Sequence, residues 1–267
     1  MSPDPMESGE ELDLPGGPDA ALLLHGLTGS PFELVPIARR ISRDGHRVLA
    51  PVLAGHAGPA RDLVGVPWTE WLAKARRDLH RLEGARRTLL VGCSTGALLA
   101  CALAHDLPSR VDGLALLAPA LELAKAGRLA ALLGRIPFVR ERIVPKGGGS
   151  DVSDPEMRRK NPCMDGVPLS SVAELAALAA HVSRLLPAVK APALVVQGAQ
   201  DHTVTIAGAR RLARHIGSGP AEFVLLPRSW HLVGIDVERD RCADEVARFL
   251  DALPLSGRAA GAARKGR

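Results

Sequence analysis

Aromatic side chains are scarce in this sequence: tyrosine is absent, and Phe and Trp together make up 3% of the residues. The core must therefore be built from aliphatic side chains, chiefly Leu, Ala and Val. No stretch interleaves aromatic with basic residues, so nucleic-acid binding is not predicted despite a net charge of +5. A length of 267 residues suits one large domain or two small ones.

Cysteines are also few, and the sequence shows neither an export signal nor a cofactor-binding motif. The four cysteines are scattered along the chain without metal-site spacing, which predicts reduced thiols and no metal. The first residues are acidic and lack the apolar run of a secretory signal, and no segment is predicted to cross a bilayer. No glycine-rich phosphate or dinucleotide motif follows a strand. We therefore expect a cytoplasmic protein with no cofactor and no stable membrane insertion.

Short apolar runs alternate with amphipathic segments along most of the chain. The predicted strands are 21–25, 46–55, 87–92, 111–120, 191–198 and 221–227, and the predicted helices are 32–45, 66–84, 95–107, 205–216 and 240–253. This alternation predicts an α/β fold, with a mostly parallel central sheet and helices on both faces.

The division of the chain follows from where this alternation stops. Residues 20–120 and 191–253 form the predicted core, after a flexible N-terminal segment at 1–19. Between them, 121–190 holds two helical patterns around a Gly- and Pro-rich stretch and no convincing strand, which predicts an inserted helical cap. The alternative is one crossover helix with a disordered loop. The basic end, 254–267, is predicted to be disordered, although such a tail could also contact nucleic acid or anionic lipid.

The stretch VGCSTG places two candidate nucleophiles, Cys93 and Ser94, between a predicted strand and a predicted helix. Such a strand–turn–helix junction is tight enough to require very small residues two positions before and after the nucleophile. Around Ser94 those positions are Gly92 and Gly96, whereas around Cys93 they are β-branched. We therefore predict Ser94 as the nucleophile and Cys93 as a packing residue.

A serine hydroxyl needs a base, and the base needs an orienting acid. In this fold class the acid and then the histidine follow later strands, which selects Asp201 and His231. The competitors are His202, His215 and Asp236. His202 directly follows the acid, His215 lies late in a helix, and Asp236 follows His231, so we expect surface or supporting roles for them.

The oxyanion of an acyl-transfer reaction needs two backbone N–H groups. One is expected from Thr95, at a helix N-terminus, and the other from Leu27, after the permissive Gly26 in LLLHGLTGSP. His25 and His56 could be mistaken for bases, but we expect both to be structural.

Five motifs, HGLTGSP, PVLAGHAG, VGCSTG, GAQDHTV and SWHLVGID, occur in an order that resembles the α/β-hydrolase superfamily. More narrowly, the chain is similar to bacterial carboxylesterases and monoacylglycerol lipases with a small cap, from about residue 20 to 252. The resemblance implies a Ser94–Asp201–His231 triad with Leu27 and Thr95 as oxyanion donors. It also implies that the cap lines an acyl or alcohol pocket.

Two features depart from this family's pattern. Cys93 and Thr95 replace the bulkier pair usual beside the serine, and the short N-terminal segment predicts that one or both of the first antiparallel strands are absent. Neither departure touches the triad.

The predicted activity is cleavage of short- to medium-chain acyl esters or monoacylglycerol through an acyl-enzyme on Ser94. A thioesterase or acyltransferase with the same triad stays open, as does a non-catalytic binding module. Apolar cap side chains suggest an apolar acyl group, although ordinary cap core explains them equally well: Leu129, Leu132, Leu133, Leu175 and Leu178.

Overall fold

The structure, a computed structural model, describes residues 8–254. Over these residues the chain forms nine strands and eight α-helices. The strands are β1 (Leu12–Leu14), β2 (Gly17–Leu24), β3 (His46–Ala50), β4 (Arg87–Cys93), β5 (Gly113–Leu117), β6 (Ile143–Pro145), β7 (Gly166–Pro168), β8 (Ala193–Gly198) and β9 (Glu222–Leu226). The helices are α1 (Val35–Arg43), α2 (Trp68–His80), α3 (Thr95–Asp106), α4 (Lys125–Leu133), α5 (Pro155–Lys160), α6 (Leu169–Leu185), α7 (Ile206–His215) and α8 (Arg239–Ala252).

Seven strands form the central sheet in the order β1-β3-β2-β4-β5-β8-β9. Every pair in it is parallel except β1 with β3. Helices α1 and α8 pack on one face, while α2, α3 and α7 cover the other. Because β4 and β5 are buried on both faces, their sequences are nearly continuous apolar runs. The predicted α/β class is confirmed.

The predicted flexible segment 1–19 is wrong from Leu12 onward, because β1 and the start of β2 already belong to the sheet. Strand β1 pairs over three residues with β3, and Asp13 forms an ion pair with Arg47. Strand β1 is also the antiparallel strand whose presence the sequence left in doubt. The predicted disordered tail lies outside the described residues apart from Pro254.

The segment between β5 and β8, which the sequence predicts as a cap, holds α4, α5 and α6. It also contains a small antiparallel pair, β6 with β7, that the sequence did not predict. Each of these strands is only three residues long and contains proline, so neither carries an alternating pattern. Helix α6 contacts α4 on one side and α2 and α3 on the others, which ties this segment to the core.

One helix of the described chain, Leu169–Ala188, is long and apolar enough to span a membrane, which the sequence analysis did not expect. Half of its most apolar stretch is buried inside the protein. Its contacts with three neighbouring helices account for that apolar composition in the fold seen here.

Candidate active site

Ser94 occupies the turn between β4 and α3 with φ 54° and ψ −109°, outside the regions that ordinary residues favour. Its backbone N–H donates to the Leu117 carbonyl on β5 at 2.8 Å, and the Ala120 N–H donates to its carbonyl at 3.3 Å. Strain of this kind persists where surrounding contacts determine the backbone, and it clusters at functional sites. The neighbouring strand thus holds the serine in its turn.

The glycines around Ser94 are required by direct backbone contact. A Cβ atom on Gly92 would lie 2.3 Å from the carbonyl carbon of Gly96, and one on Gly96 would lie 2.0 Å from the carbonyl oxygen of Leu24. Cys93 instead points into the core and is 1% exposed. Burial raises the pKa of its thiol well above the ordinary value, so the reactive thiolate is not formed near neutral pH.

Asp201 and His231 meet at the carboxyl end of the sheet, with 2.8 Å between Asp201 Oδ2 and His231 Nδ1. Both side chains are buried. Burial opposes the charged form of each group. The charge and hydrogen bond of Asp201 nevertheless raise the pKa of His231, and the charge and hydrogen bond of His231 lower the pKa of Asp201. With its Nδ1–H donated to Asp201, His231 leaves Nε2 free to accept a proton.

Further hydrogen bonds hold Asp201 in this orientation. The backbone N–H groups of Thr203 and Val204 donate to Oδ1 at 2.8 Å each, and Gln197 Nε2 donates to Oδ2 at 2.8 Å. Gln197 is fully buried on β8. Sequence reasoning missed this residue, although a glutamine within an apolar strand, four positions before the predicted acid, is a usable signal.

The competing acid Asp236 supports the histidine loop without contacting His231. Its carboxylate accepts the backbone N–H of Trp230 at 2.7 Å and bonds from the backbone and hydroxyl of Ser153. Asp236 therefore joins the residue before His231 to the 121–190 segment. Its place in the fold is structural, as the sequence analysis expected.

The two competing histidines, His202 and His215, also lie outside the Asp201–His231 pair. His202 pairs with Asp151, with 2.9 Å between Nδ1 and Oδ1, and its side chain is largely exposed. His215 is exposed near the end of α7, where its ring contacts the Arg211 carbonyl. Neither one bonds to Asp201, in agreement with the sequence reasoning.

The loop after β2 carries the predicted oxyanion donor Leu27, and buried side chains hold the loop from both sides. His25 Nδ1 donates to the Gly26 carbonyl at 2.8 Å, and its Nε2 accepts the Leu53 N–H at 3.0 Å. Burial lowers the pKa of His25 to about 3, so the ring is neutral and structural, as expected. His56, whose pKa burial lowers to about 4, stacks edge-on against it.

On the other side of the loop, Glu33 Oε2 accepts the Gly26 N–H at 2.9 Å. This glutamate is 3% exposed and lies in the 3₁₀ turn that precedes α1. Sequence reasoning missed it because Glu33 occupies a stretch with ordinary helical spacing, where a single acid signals a solvent-facing position.

Ser94 and His231 face a common cavity of about 430 Å³, which Leu27, Asp151 and His202 also line. Much of the wall is apolar and comes from the 121–190 segment, with Leu123, Ala126, Ala130, Val167, Leu169, Val172 and Leu175.

Of the five cap leucines singled out from the sequence, only Leu175 lines this cavity. Leu178 is buried in the core, and the prediction is wrong for Leu129, Leu132 and Leu133, whose side chains are exposed to solvent. Helical spacing shows which residues share a face but not which face turns inward.

A profile of the family described as "Serine aminopeptidase, S33" matches residues 18–238, which include Ser94, Asp201 and His231. The chain belongs to this family. It is accordingly a serine hydrolase, and the α/β-hydrolase resemblance drawn from its motifs is confirmed.

Three relatives illustrate what this S33-family chain is similar to. A thermostable monoacylglycerol lipase of Bacillus sp. (strain H-257) is 27% identical over 87% of the chain and 90% of the relative. A carboxylesterase of Bacillus subtilis (strain 168) is 23% identical over 89% of the chain and 94% of the relative. A solved structure from the metagenome-derived lipolytic enzymes LipS and LipT superposes with a TM-score of 0.82 at 25% identity, covering 91% and 97% of the two chains.

Proposed function

We propose that the protein hydrolyses carboxylic esters through an acyl-enzyme on Ser94. The observation that carries this proposal is the buried Asp201–His231 pair facing the same cavity as the strained Ser94. The names of the relatives support an ester as the scissile group. We assign the backbone N–H groups of Leu27 and Thr95 as the oxyanion donors. Leu27 follows Gly26 in the loop after β2, and Thr95 is the first residue of α3.

In this mechanism His231 Nε2 takes the proton of the Ser94 hydroxyl as its oxygen attacks the ester carbonyl. The oxyanion of the tetrahedral intermediate accepts the Leu27 and Thr95 N–H groups, and the N-terminus of α3 adds a favourable dipole. His231 then protonates the leaving alcohol, and a water molecule activated by the same ring releases the acid. Asp201 holds the ring and stabilises its charged form.

The preferred substrates are short- to medium-chain acyl esters or monoacylglycerol. The apolar wall formed by Val172 and Leu175 suits an acyl chain, and Asp151, His202 and Thr203 supply polar groups suited to a hydroxylated alcohol. Thioester cleavage or transfer to another acyl acceptor would use the same residues. We further propose that the protein is cytoplasmic and acts without nucleic acid, a cofactor or stable membrane insertion.

The test is a panel of p-nitrophenyl esters of increasing chain length, with an acyl-CoA and an aminoacyl p-nitroanilide as thioester and peptidase arms. We expect turnover of the esters with a maximum beyond acetate, and a loss of several orders of magnitude in Ser94→Ala. Full activity in Ser94→Ala contradicts the mechanism. A higher rate on the acyl-CoA or the anilide than on every ester contradicts the substrate class.

A further inference from the structure

Helix α4 presents its large hydrophobic residues to solvent and its small ones to the protein. Ala131 is buried, and a Cβ atom on Gly134 at the helix end would lie 2.0 Å from the Leu169 carbonyl oxygen of α6. On the opposite side, Leu129 and Leu132 are each 59% exposed. A helix that only covers a core carries the reverse arrangement, with its large apolar residues buried.

Exposed hydrophobic residues continue along the chain beyond α4, as far as Val144. Of the eight large hydrophobic residues that are strongly exposed in residues 8–254, Val237 alone lies elsewhere. Phe138 is 95% exposed in a chain that has only four phenylalanines. Concentrations of this kind mark interaction sites. The remaining seven residues define the apolar cap surface: Leu129, Leu132, Leu133, Ile136, Phe138, Ile143 and Val144.

The same part of the chain is strongly basic. Residues 125–146 contain six Lys and Arg residues and one acid, Glu141, whereas the whole chain has a net charge of +5. Not one of the six forms an ion pair in the part of the chain that the structure describes. These six cations surround the apolar cap surface in sequence: Lys125, Arg128, Arg135, Arg140, Arg142 and Lys146.

The apolar cap surface is continuous with the cavity over the nucleophile. Val144 is 48% exposed and also lines the cavity, as do its neighbours Pro145 and Lys146. A molecule seated on this surface therefore lies beside the cavity that contains Ser94.

We propose that the apolar cap surface docks on an anionic lipid–water interface. Apolar side chains that insert among acyl chains, flanked by unpaired cations that meet anionic headgroups, are the two attractions that hold a protein at such an interface. The docked protein rests on the bilayer and does not span it. Delivery of acyl esters from the lipid into the cavity rests in addition on the proposed esterase function.

The experiment measures sedimentation of full-length Ser94→Ala protein with vesicles, so that hydrolysis cannot alter the lipid. We expect binding to phosphatidylglycerol-containing vesicles that weakens with salt, and weak binding to pure phosphatidylcholine. In this background the Leu132→Ser/Phe138→Ser variant should bind at least about tenfold more weakly. An Arg140→Gln/Arg142→Gln variant should lose about fivefold per cation removed.

Two exposed residues far from the cap in sequence provide matched controls, and unchanged melting temperatures confirm that all variants fold. Val237→Ser removes the eighth exposed hydrophobic residue, and Arg214→Gln removes an exposed cation; both should bind vesicles like the parent. Equal binding by the cap variants and the parent, or no binding to anionic vesicles, overturns the proposal. So does concentration-dependent self-association that the cap variants abolish, since a second copy would then cover the surface.

A second inference concerns Glu33 and comes from an independent observation. The carboxyl group of Glu33 and the Cβ atom of Ser94 flank Gly26, because a Cβ atom on Gly26 would lie 3.2 Å from Glu33 Oε2 and 3.4 Å from Ser94 Cβ. Glu33 also limits Gly29, where a Cβ atom would lie 2.1 Å from Oε1. A buried acid beside the nucleophile thus determines the path of the loop after β2, which carries Leu27.

We infer that Glu33 is a positioning residue that holds the Gly26 amide so that the following Leu27 N–H faces the developing oxyanion. This inference rests on the proposed function, and in particular on Leu27 as a donor. Burial raises the pKa of Glu33, which favours the neutral acid over an anion that would repel the oxyanion. The neutral acid still offers its carbonyl oxygen to the Gly26 N–H.

The test compares Glu33→Gln, which keeps an acceptor oxygen, with Glu33→Ala, which removes it. In Glu33→Ala we expect kcat to fall about tenfold to a hundredfold, while KM stays nearly unchanged. This decrease in kcat is smaller than the decrease caused by removing an oxyanion donor itself. Affinity for a trifluoromethyl ketone, which forms a bound oxyanion, should fall in parallel. Glu33→Gln should stay within about threefold of the parent in kcat.

Loss of thermal stability without a change in kcat or inhibitor affinity overturns this inference, because it indicates a merely structural residue. Equal kcat in the Ala and Gln variants overturns it as well. Ser94→Ala distinguishes failure of the proposed function from failure of this inference. If the proposed function is wrong, Ser94→Ala remains active, regardless of the results for the Glu33 variants.

Discussion

Replacing Asp201 with Asn tests the geometry of the site most sharply, because it preserves shape while removing the charge that His231 depends on. Asn Nδ2 is a donor, so the ring would have to accept at Nδ1 and carry its proton on Nε2, the atom that must take the proton of Ser94. Loss of the correct tautomer costs about 10⁴-fold in kcat in serine hydrolases. We expect a decrease of that order, measured with a p-nitrophenyl ester.

The acidic limb of the pH–rate profile carries a second part of this prediction. Only neutral His231 accepts a proton, so activity falls as pH drops through its pKa, which Asp201 raises above the ordinary value against the opposing effect of burial. Without the Asp201 charge burial dominates, and the limb of Asp201→Asn should move to lower pH. Residual activity followed from pH 4 to 9 measures the shift.

Asp236→Asn is the matched control, because it neutralises a buried acid in the loop of His231 without touching the ring. It should lower the melting temperature through lost bonds to Trp230 and Ser153 while leaving the acidic limb of the folded fraction in place. An unchanged kcat or an unshifted acidic limb in Asp201→Asn, or a shifted acidic limb in Asp236→Asn, would contradict the role given to Asp201.

Three further predictions concern the turn around Ser94 and the core. Gly96→Ala should lower the free energy of unfolding, measured in urea, by more than about 4 kcal/mol, because its Cβ atom would overlap the Leu24 carbonyl oxygen. A loss of less than about 1 kcal/mol would contradict the packing described here. Cys93→Ala should cost about 1 kcal/mol while keeping turnover and serine labelling, whereas lost labelling would make the thiol part of the chemistry. Asp19→Asn should cost about 3 kcal/mol, since it leaves the buried Arg87 unpaired. Burial opposes the low pKa of Asp19, but its arginine partners prevail. The contribution of Asp19 is therefore complete above the ordinary carboxyl pKa and is lost as pH falls from there toward the lowered pKa. The stability difference between the parent and Asp19→Asn should shrink below about pH 4, and a difference that stays constant down to about pH 2 would contradict the ion pair described here.

The sequence was most informative where one local requirement determines the structure. Strand β4 and helix α3 follow from an apolar run and a helical pattern, and the small residues at 92 and 96 follow from the tight turn between them. Asp201 and His231 could be selected because the carboxyl ends of parallel strands meet at one sheet edge. Their hydrogen bond confirms that the two are brought together.

Features that depend on distant contacts escaped prediction. Glu33 lies at an ordinary position of a helical pattern, and only the fold shows that it accepts from Gly26. Gln197 stands out within an apolar strand, but the sequence does not show that its side chain donates to Asp201. Strand β1 was missed because its three residues gain their order from pairing with β3.

The orientation of α4 was also beyond the sequence. Small residues and leucines each recur at helical spacing along it, so two faces compete for burial. The small face turns toward the protein because it permits close approach to α6, as the contact between Gly134 and the Leu169 carbonyl shows. This orientation of α4 leaves its leucines exposed to solvent, where they form part of the apolar cap surface.

Ser94 is the residue expected to form the covalent intermediate. A fluorophosphonate probe followed by peptide mass spectrometry tests it directly, with the parent, Cys93→Ala and Ser94→Ala compared side by side. We expect a single adduct on Ser94 in the parent and in Cys93→Ala, and no adduct in Ser94→Ala. An adduct on any other residue, or an unlabelled parent protein that still turns over esters, would contradict it.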